Sequence, residues 1–187
     1  MKNLIDHLKT VHTHRKHVRK ACFKMGLLWQ GLTHDLSKYS LAELKICKYY
    51  TGKGSPHQVA REALGYSPSW IHHYHTNKHH HMFWIDEMET GEIVPMKMPY
   101  KYVIESLADM LGASKAYNKE NWKPQLLLDY WEQKCLGKRI MHEYSIRLLD
   151  RLIRQLVLDG EENFFEWYNG IKGFLKEKYE TEDIEFI

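Results

Sequence analysis

Gly31-Leu32-Thr33-His34-Asp35-Leu36-Ser37-Lys38 is the stretch on which the reading of this chain turns. Leu27, Leu28 and Leu32 supply an apolar run suited to burial, and the run ends in an imidazole, a carboxylate, a hydroxyl and an ammonium within five residues. Neighbours in the middle of a helix point about 100° apart, so His34 and Asp35 can serve one centre only where a helix ends and the backbone opens. Imidazole with carboxylate suits Zn, Mn, Fe, Co or Ni better than Ca or Cu(I). The plainer reading is a His favoured by the dipole at a helix C-terminus, beside a solvated Asp. The surroundings of the pair favour the metal.

Upstream, Leu4, Leu8, Val11, Val18, Cys22, Met25 and Trp29 recur at three- and four-residue steps, with Arg15 the one break. This pattern predicts an amphipathic helix that bends or ends at Gly26. His14 borders the buried stripe; His17 is rotated further round, and His7 and His12 read as solvated. A second helix is predicted over 27–34. Ser40-Leu41-Ala42-Glu43 fits a capping box, Ser40 at the N-cap and Glu43 reaching back, so a third helix starts near Leu41 and ends before Gly52. The link between them places Lys38 over whatever His34 and Asp35 hold.

Downstream, a short helix is predicted over 58–64, and Ser67-Pro68 opens another. On helical spacing Trp70, His73, Asn77, His80 or His81, and Trp84 share one face, with indoles at both ends that suggest it points inward. Polar groups on a buried face must be hydrogen-bonded or coordinated. If the helix breaks near Asn77, His79 and His80 become equally available. Residues 86–95 read as a polar turn or short hairpin. Pro99 opens a helix over 100–118 on which Glu105 and Asp109 share a stripe; Asp109 lies among apolar and small residues, and a buried carboxylate is costly unless paired or metal-bound. Helices over 123–134, 139–158 and 164–179 follow, then an acidic tail. No Gly-rich phosphate loop, GxSxG motif, repeat or convincing strand periodicity occurs.

Composition sets the frame. The 187 residues are enough for one domain with a sizeable core. A net charge of +3 is too small to argue for nucleic acid. Cys22, Cys47 and Cys135 have no CxxC spacing and read as reduced thiols of a cytoplasmic protein. There is no signal-peptide pattern and no apolar run of membrane length. The unusual number is 13 His, six of them between His72 and His81, interrupted by Tyr74, Thr76, Asn77 and Lys78 in a way that no purification tag would be. The expectation is an all-α chain in a single domain over 1–187, with the site between about 10 and 118 and additional helices over 119–180.

His14, His34-Asp35 after an apolar helix, Lys38 three past the Asp, and Ala108-Asp109 on a later helix together resemble the HD-domain superfamily of metal-dependent phosphohydrolases. More narrowly, His-Asp-Leu-Ser-Lys with Glu43, His73 with Asn77-Lys78-His79-His80 and Trp84, and Met98-Pro99 with Glu105 and Ala108-Asp109 resemble an uncharacterised bacterial and phage family within or near it. The resemblance covers roughly 14–118. It implies a helical bundle holding one or two divalent transition metal ions (Mn, Fe, Co, Ni or Zn). His14, His34, Asp35 and Asp109 would hold one ion, with His17 as understudy to His14; His73 and His79 or His80 would complete a second site, with Asp35 bridging. It further implies hydrolysis of a nucleotide or other small phosphate ester by a metal-activated water. Lys38 would meet the phosphate, and Asn77 would contact it or orient a His; the plainer readings are a solvated Lys38 and Asn77 as a helix C-cap. The same cage would also suit a non-catalytic metal- or nucleotide-binding regulator, or a di-iron oxygenase.

Overall fold

A computed structural model describes residues 2–51 and 55–183. Residues 52–54, in the link expected after the third helix, and 184–187, in the acidic tail, lie outside the described residues. Eight α-helices carry the described chain. α1 (Lys2–Lys24) turns at Gly26 into the short α2 (Leu28–Thr33); a 3-10 turn over Leu36–Tyr39 leads into α3 (Leu41–Leu44), which tightens to 3-10 geometry over Lys45–Tyr49. α4 (Pro56–Leu64) and α5 (Pro68–Thr76) follow, each with Pro in its first turn. After another 3-10 turn, β1 (Ile85–Glu87) and β2 (Ile93–Pro95) form an antiparallel hairpin with Asp86 opposite Val94. α6 (Tyr100–Asn118), α7 (Pro124–Lys134) and α8 (Glu143–Glu180) complete an all-α fold.

The close approach of α1 to α6 organises the centre of the molecule. Gly112 faces Val18, and a Cβ there would overlap the Val18 side chain and come within 2.9 Å of the Val18 backbone nitrogen. One turn earlier on each helix, His14 and Asp109 meet. Val18, Cys22 and Met25 of α1, Ile104, Leu107 and Leu111 of α6, Leu127 and Trp131 of α7, and Leu148, Leu152 and Leu156 of α8 form one continuous apolar core.

Four expectations need correction. The helix from Pro68 stops at Thr76, with Asn77 as its C-cap, so Trp84 does not share a helix face with Trp70. The two helices expected over 139–158 and 164–179 begin later, at Glu143, and are parted by a single residue, Gly160, with φ 72 and ψ 167. There α8 doubles back, and Ser145 near its start lies 2.8 Å from the Tyr179 hydroxyl near its end. Leu28 and Leu32, expected to be buried, are exposed. His7, expected to be solvated, is buried edge-on to Tyr50, with the two ring centroids 5.6 Å apart.

Candidate metal centre

The end of α2 builds the centre. Asp35 takes the left-handed conformation, φ 55 and ψ 26, directly after an extended His34. This conformation is uncommon outside glycine and is tolerated best by Asn and Asp. The backbone reversal turns adjacent side chains toward one point, as no two neighbours within a helix could. Arg15, the break in the apolar stripe of α1, secures the turn: its Nε donates to the His34 carbonyl at 2.8 Å, its Nη2 to the Leu32 carbonyl and its Nη1 to the Tyr39 hydroxyl. It thus satisfies carbonyls that the helix end leaves without partners.

Asp35 is fully buried, and its two oxygens face two different sets of imidazoles. Oδ2 lies 3.4 Å from His14 Nε2 and 3.4 Å from His34 Nε2. Both of these nitrogens also approach Asp109 Oδ1, at 3.1 and 3.3 Å. Oδ1 lies 3.4 Å from His73 Nε2 and 3.5 Å from His79 Nε2. Two groups of four result, His14, His34, Asp35 and Asp109, and Asp35, His73, His79 and His80, each with one donor atom per residue lying within 4.8 Å of the others. Asp35 belongs to both.

Nε2 of His14, His34, His73, His79 and His80, together with Asp35 Oδ1, are buried without a hydrogen-bond partner in the described structure. Buried polar atoms without partners are costly and rare, and here they converge. The opposite edges of the rings are fully engaged at three of these positions. Glu105 accepts from His34 Nδ1 at 3.0 Å and from His79 Nδ1 at 3.2 Å. Glu43 accepts from His73 Nδ1 at 2.9 Å and from His72 Nδ1 at 3.0 Å. An ionised carboxylate can only accept, so these Nδ1 atoms carry protons, and Nε2 is the nitrogen that each ring turns toward a cation. A third possible group, His34, His79 and Glu105, shares both imidazoles with the other two, and Glu105 stands behind their rings.

Charge is balanced to match. Burial opposes the Asp35 and Asp109 carboxylates, yet the His34 imidazole and Lys38 ammonium beside Asp35, and the His14 and His34 contacts of Asp109, hold both far below the usual carboxylate range. Burial likewise opposes a charged His34, but Asp35, Asp109 and Glu105 lift it to about 10. Burial, with His79 and His73 close by, pushes His80 well down, so its ring is neutral and its lone pair free near pH 7. Lys38 Nζ sits 2.5 Å from Asp35 Oδ2, and Asp35, Asp109 and Glu43 outweigh burial to keep it an ammonium.

Every ligand named from sequence falls in one of the two groups, and both His79 and His80 belong. The understudy His17 lies outside them. Asn77 gives no donor atom to either group: its Nδ2 donates to the His73 carbonyl at 2.9 Å and to Ser37 Oγ at 2.7 Å and lies 3.1 Å from His73 Nδ1, so it closes α5 beside the His73 ring. Glu43 does cap α3 with Ser40 through its backbone nitrogen, but its carboxylate turns to His72 and His73 instead of reaching back. Sequence reading missed the holding roles of Glu43, Glu105 and Arg15. The available signal was an acid between Ala42 and Leu44 at Glu43, an acid one turn before Asp109 at Glu105, and a cation inside an apolar stripe at Arg15.

Fold and site together define the class: an all-helical protein with a buried imidazole–carboxylate cluster that could hold metal. Residues 3–155 match DUF5662, a family of unknown function, and the chain belongs to that family. The match includes the whole cluster and ends before the break in α8. No curated protein and no solved structure matches the chain.

Proposed function

We propose that this chain is a metal-dependent phosphohydrolase of the HD type, acting on a nucleotide or another small phosphate ester. The observation that carries the reading is the convergence of five partnerless imidazole nitrogens around one buried carboxylate, four of them close to its two oxygens. That donor set fits divalent Mn, Fe, Co, Ni or Zn. His14, His34, Asp35 and Asp109 would hold one ion, and His73, His79, His80 and the other oxygen of Asp35 a second. Bound there, such ions supply Lewis acidity toward a phosphate ester and lower the pKa of a water.

The chain's own groups divide the remaining work. Glu43 and Glu105 hold the Nδ1 protons and fix the ring planes. Burial keeps bulk water from His34, Asp35, His73 and His79, while Asp109, 18% exposed at its side chain, marks the open side. Lys38, also on a partly exposed side, brings a permanent positive charge toward an incoming phosphate.

The test is metal analysis of the purified protein and of a variant carrying His34→Ala and Asp35→Ala, followed by a phosphate-ester panel on each metal-loaded form. Bound transition metal lost in the variant, with hydrolysis by the parent, is the expected result. Metal retained by the variant would place binding elsewhere, the outer His72 and His75 being the obvious alternative. Full loading with no ester hydrolysed would favour a non-catalytic metal-binding protein.

A further inference from the structure

The first fifty residues contain ten Lys or Arg and three Asp or Glu, a formal charge of +7 in a chain whose total is +3. Two of those three acids, Asp35 and Glu43, are buried in the metal centre. Seven of the ten cations lie on α1, against one acid, Asp6. Along α1, Ile5, Lys9, Lys16, Arg19 and Phe23 recur at helical spacing on the side away from the core, and all are exposed. Among the described residues no carboxylate pairs with Lys16, Arg19 or Lys20.

Beside this stripe lies an apolar ridge. Leu28 is 62% exposed, Trp29 72%, Leu32 52% and Leu36 51%, all within nine residues of chain. Ridge and stripe are one surface. α2 rests on α1 where Gly31, having no side chain, leaves room for Phe23 and Cys22, and Arg15 bonds to both Leu32 and Tyr39 across the seam. Trp29 and Leu32 contribute little to the core, so their exposure calls for an occupant.

The charge decides among occupants. A second copy would set one strongly positive face against another, which is repulsive. Nucleic acid would use the cations but has little use for a row of leucines. An anionic lipid surface takes both parts: indole and leucine side chains enter the interfacial layer while Lys and Arg meet acidic headgroups. We infer that the α1–α2 face docks on an anionic membrane surface, with Trp29, Leu28, Leu32 and Leu36 inserted and Lys9, Lys16 and Arg19 against the headgroups. This is adsorption and not spanning: no helix among the described residues is long and apolar enough to cross a membrane.

The experiment is sedimentation of the full chain with sucrose-loaded vesicles of phosphatidylcholine plus phosphatidylglycerol, against phosphatidylcholine alone. Binding is expected only to the anionic vesicles, weakening as salt is raised, with a blue shift in tryptophan emission. Lys16→Glu with Arg19→Glu should weaken binding by at least about 25-fold, at roughly five-fold for each cation lost. Trp29→Ala with Leu32→Ser should abolish both binding and blue shift while thermal melting stays near the parent's, since neither side chain is in the core. Failure to sediment with anionic vesicles would overturn the inference. So would vesicle binding that survives loss of Trp29 and Leu32. A single-stranded oligonucleotide bound equally well by parent and Trp29→Ala/Leu32→Ser, with no vesicle binding by either, would overturn it too and identify a polyanion site.

Discussion

An ammonium that keeps its proton has no lone pair for a metal, so Lys38 contributes charge alone. If the site is hydrolytic, Lys38→Ala should lower kcat/KM on a phosphate ester by about 10- to 1000-fold, or about 1.4–4 kcal/mol. Metal content should not fall, because the substitution frees Asp35 Oδ2 from a competing cation. Lys38→Arg should restore part of the rate, a planar fork replacing a point charge. Steady-state kinetics beside metal analysis separates these effects; a variant that loses metal would mean that Lys38 is structural. Glu105→Gln and Glu43→Gln should each weaken metal binding by about 10- to 100-fold through the rings they hold, measured by competition with a chromophoric chelator. Binding must also depend on pH. His34, lifted to about 10, carries a proton on the nitrogen that a metal needs. Between pH 6 and 8 affinity should therefore rise, by up to about tenfold per unit for that one proton, while Asp35 and Asp109 are already ionised and add no dependence. A flat profile in isothermal titration would contradict the assignment of His34.

Two glycines show how far element-level features serve the site. Gly160 holds φ 72 and ψ 167, a region open essentially to glycine, although nothing lies within 4 Å of the place where a methyl group would stand. Gly160→Ala should therefore cost about 1–3 kcal/mol through backbone strain alone, with metal affinity unchanged. Gly112→Ala should cost a similar amount by pressing α1 away from α6, and metal affinity should fall with it, because that contact sets the distance from His14 to Asp109. Melting curves with metal titrations distinguish the two. The same elements mark what the sequence made legible. The starts of α3, α5 and α6 follow from a capping Ser and two prolines, which are local signals. The end of α5 was legible only as an alternative, a break near Asn77. Helical periodicity carries on past Asn77, while the chain turns there because the Asn77 amide closes the last turn and His79 swings back toward Glu105. That turn is fixed by a partner far along the chain. The same holds for Glu43, whose capping position was readable but whose carboxylate answers to α5. The exposure of Leu28 and Leu32 was equally hidden, since an apolar run does not say which of its residues the neighbouring helix covers.

At the scale of the molecule, the centre joins α1, the turn after α2, the end of α5 with the turn beyond it, and α6. Metal bound by the folded chain should raise its stability by about 2.7 kcal/mol at a free concentration about one hundred times Kd. For a chain of this size, chelation should then lower Tm by about 5–10 °C, readable in a thermal scan with and without EDTA. No shift in Tm on stripping a metal that was shown to be present would mean that the ion sits on the surface. The dispersal of the ligands also has a bearing on time. His14 and Asp109 come together only once α1 has docked on α6, so an ion held by His14, His34, Asp35 and Asp109 has no site in the unfolded chain from which to gather those segments early. Bound metal should consequently leave the refolding arm of a chevron where it is and lower only the unfolding arm, making the ion a brake on escape from the native state and no guide into it.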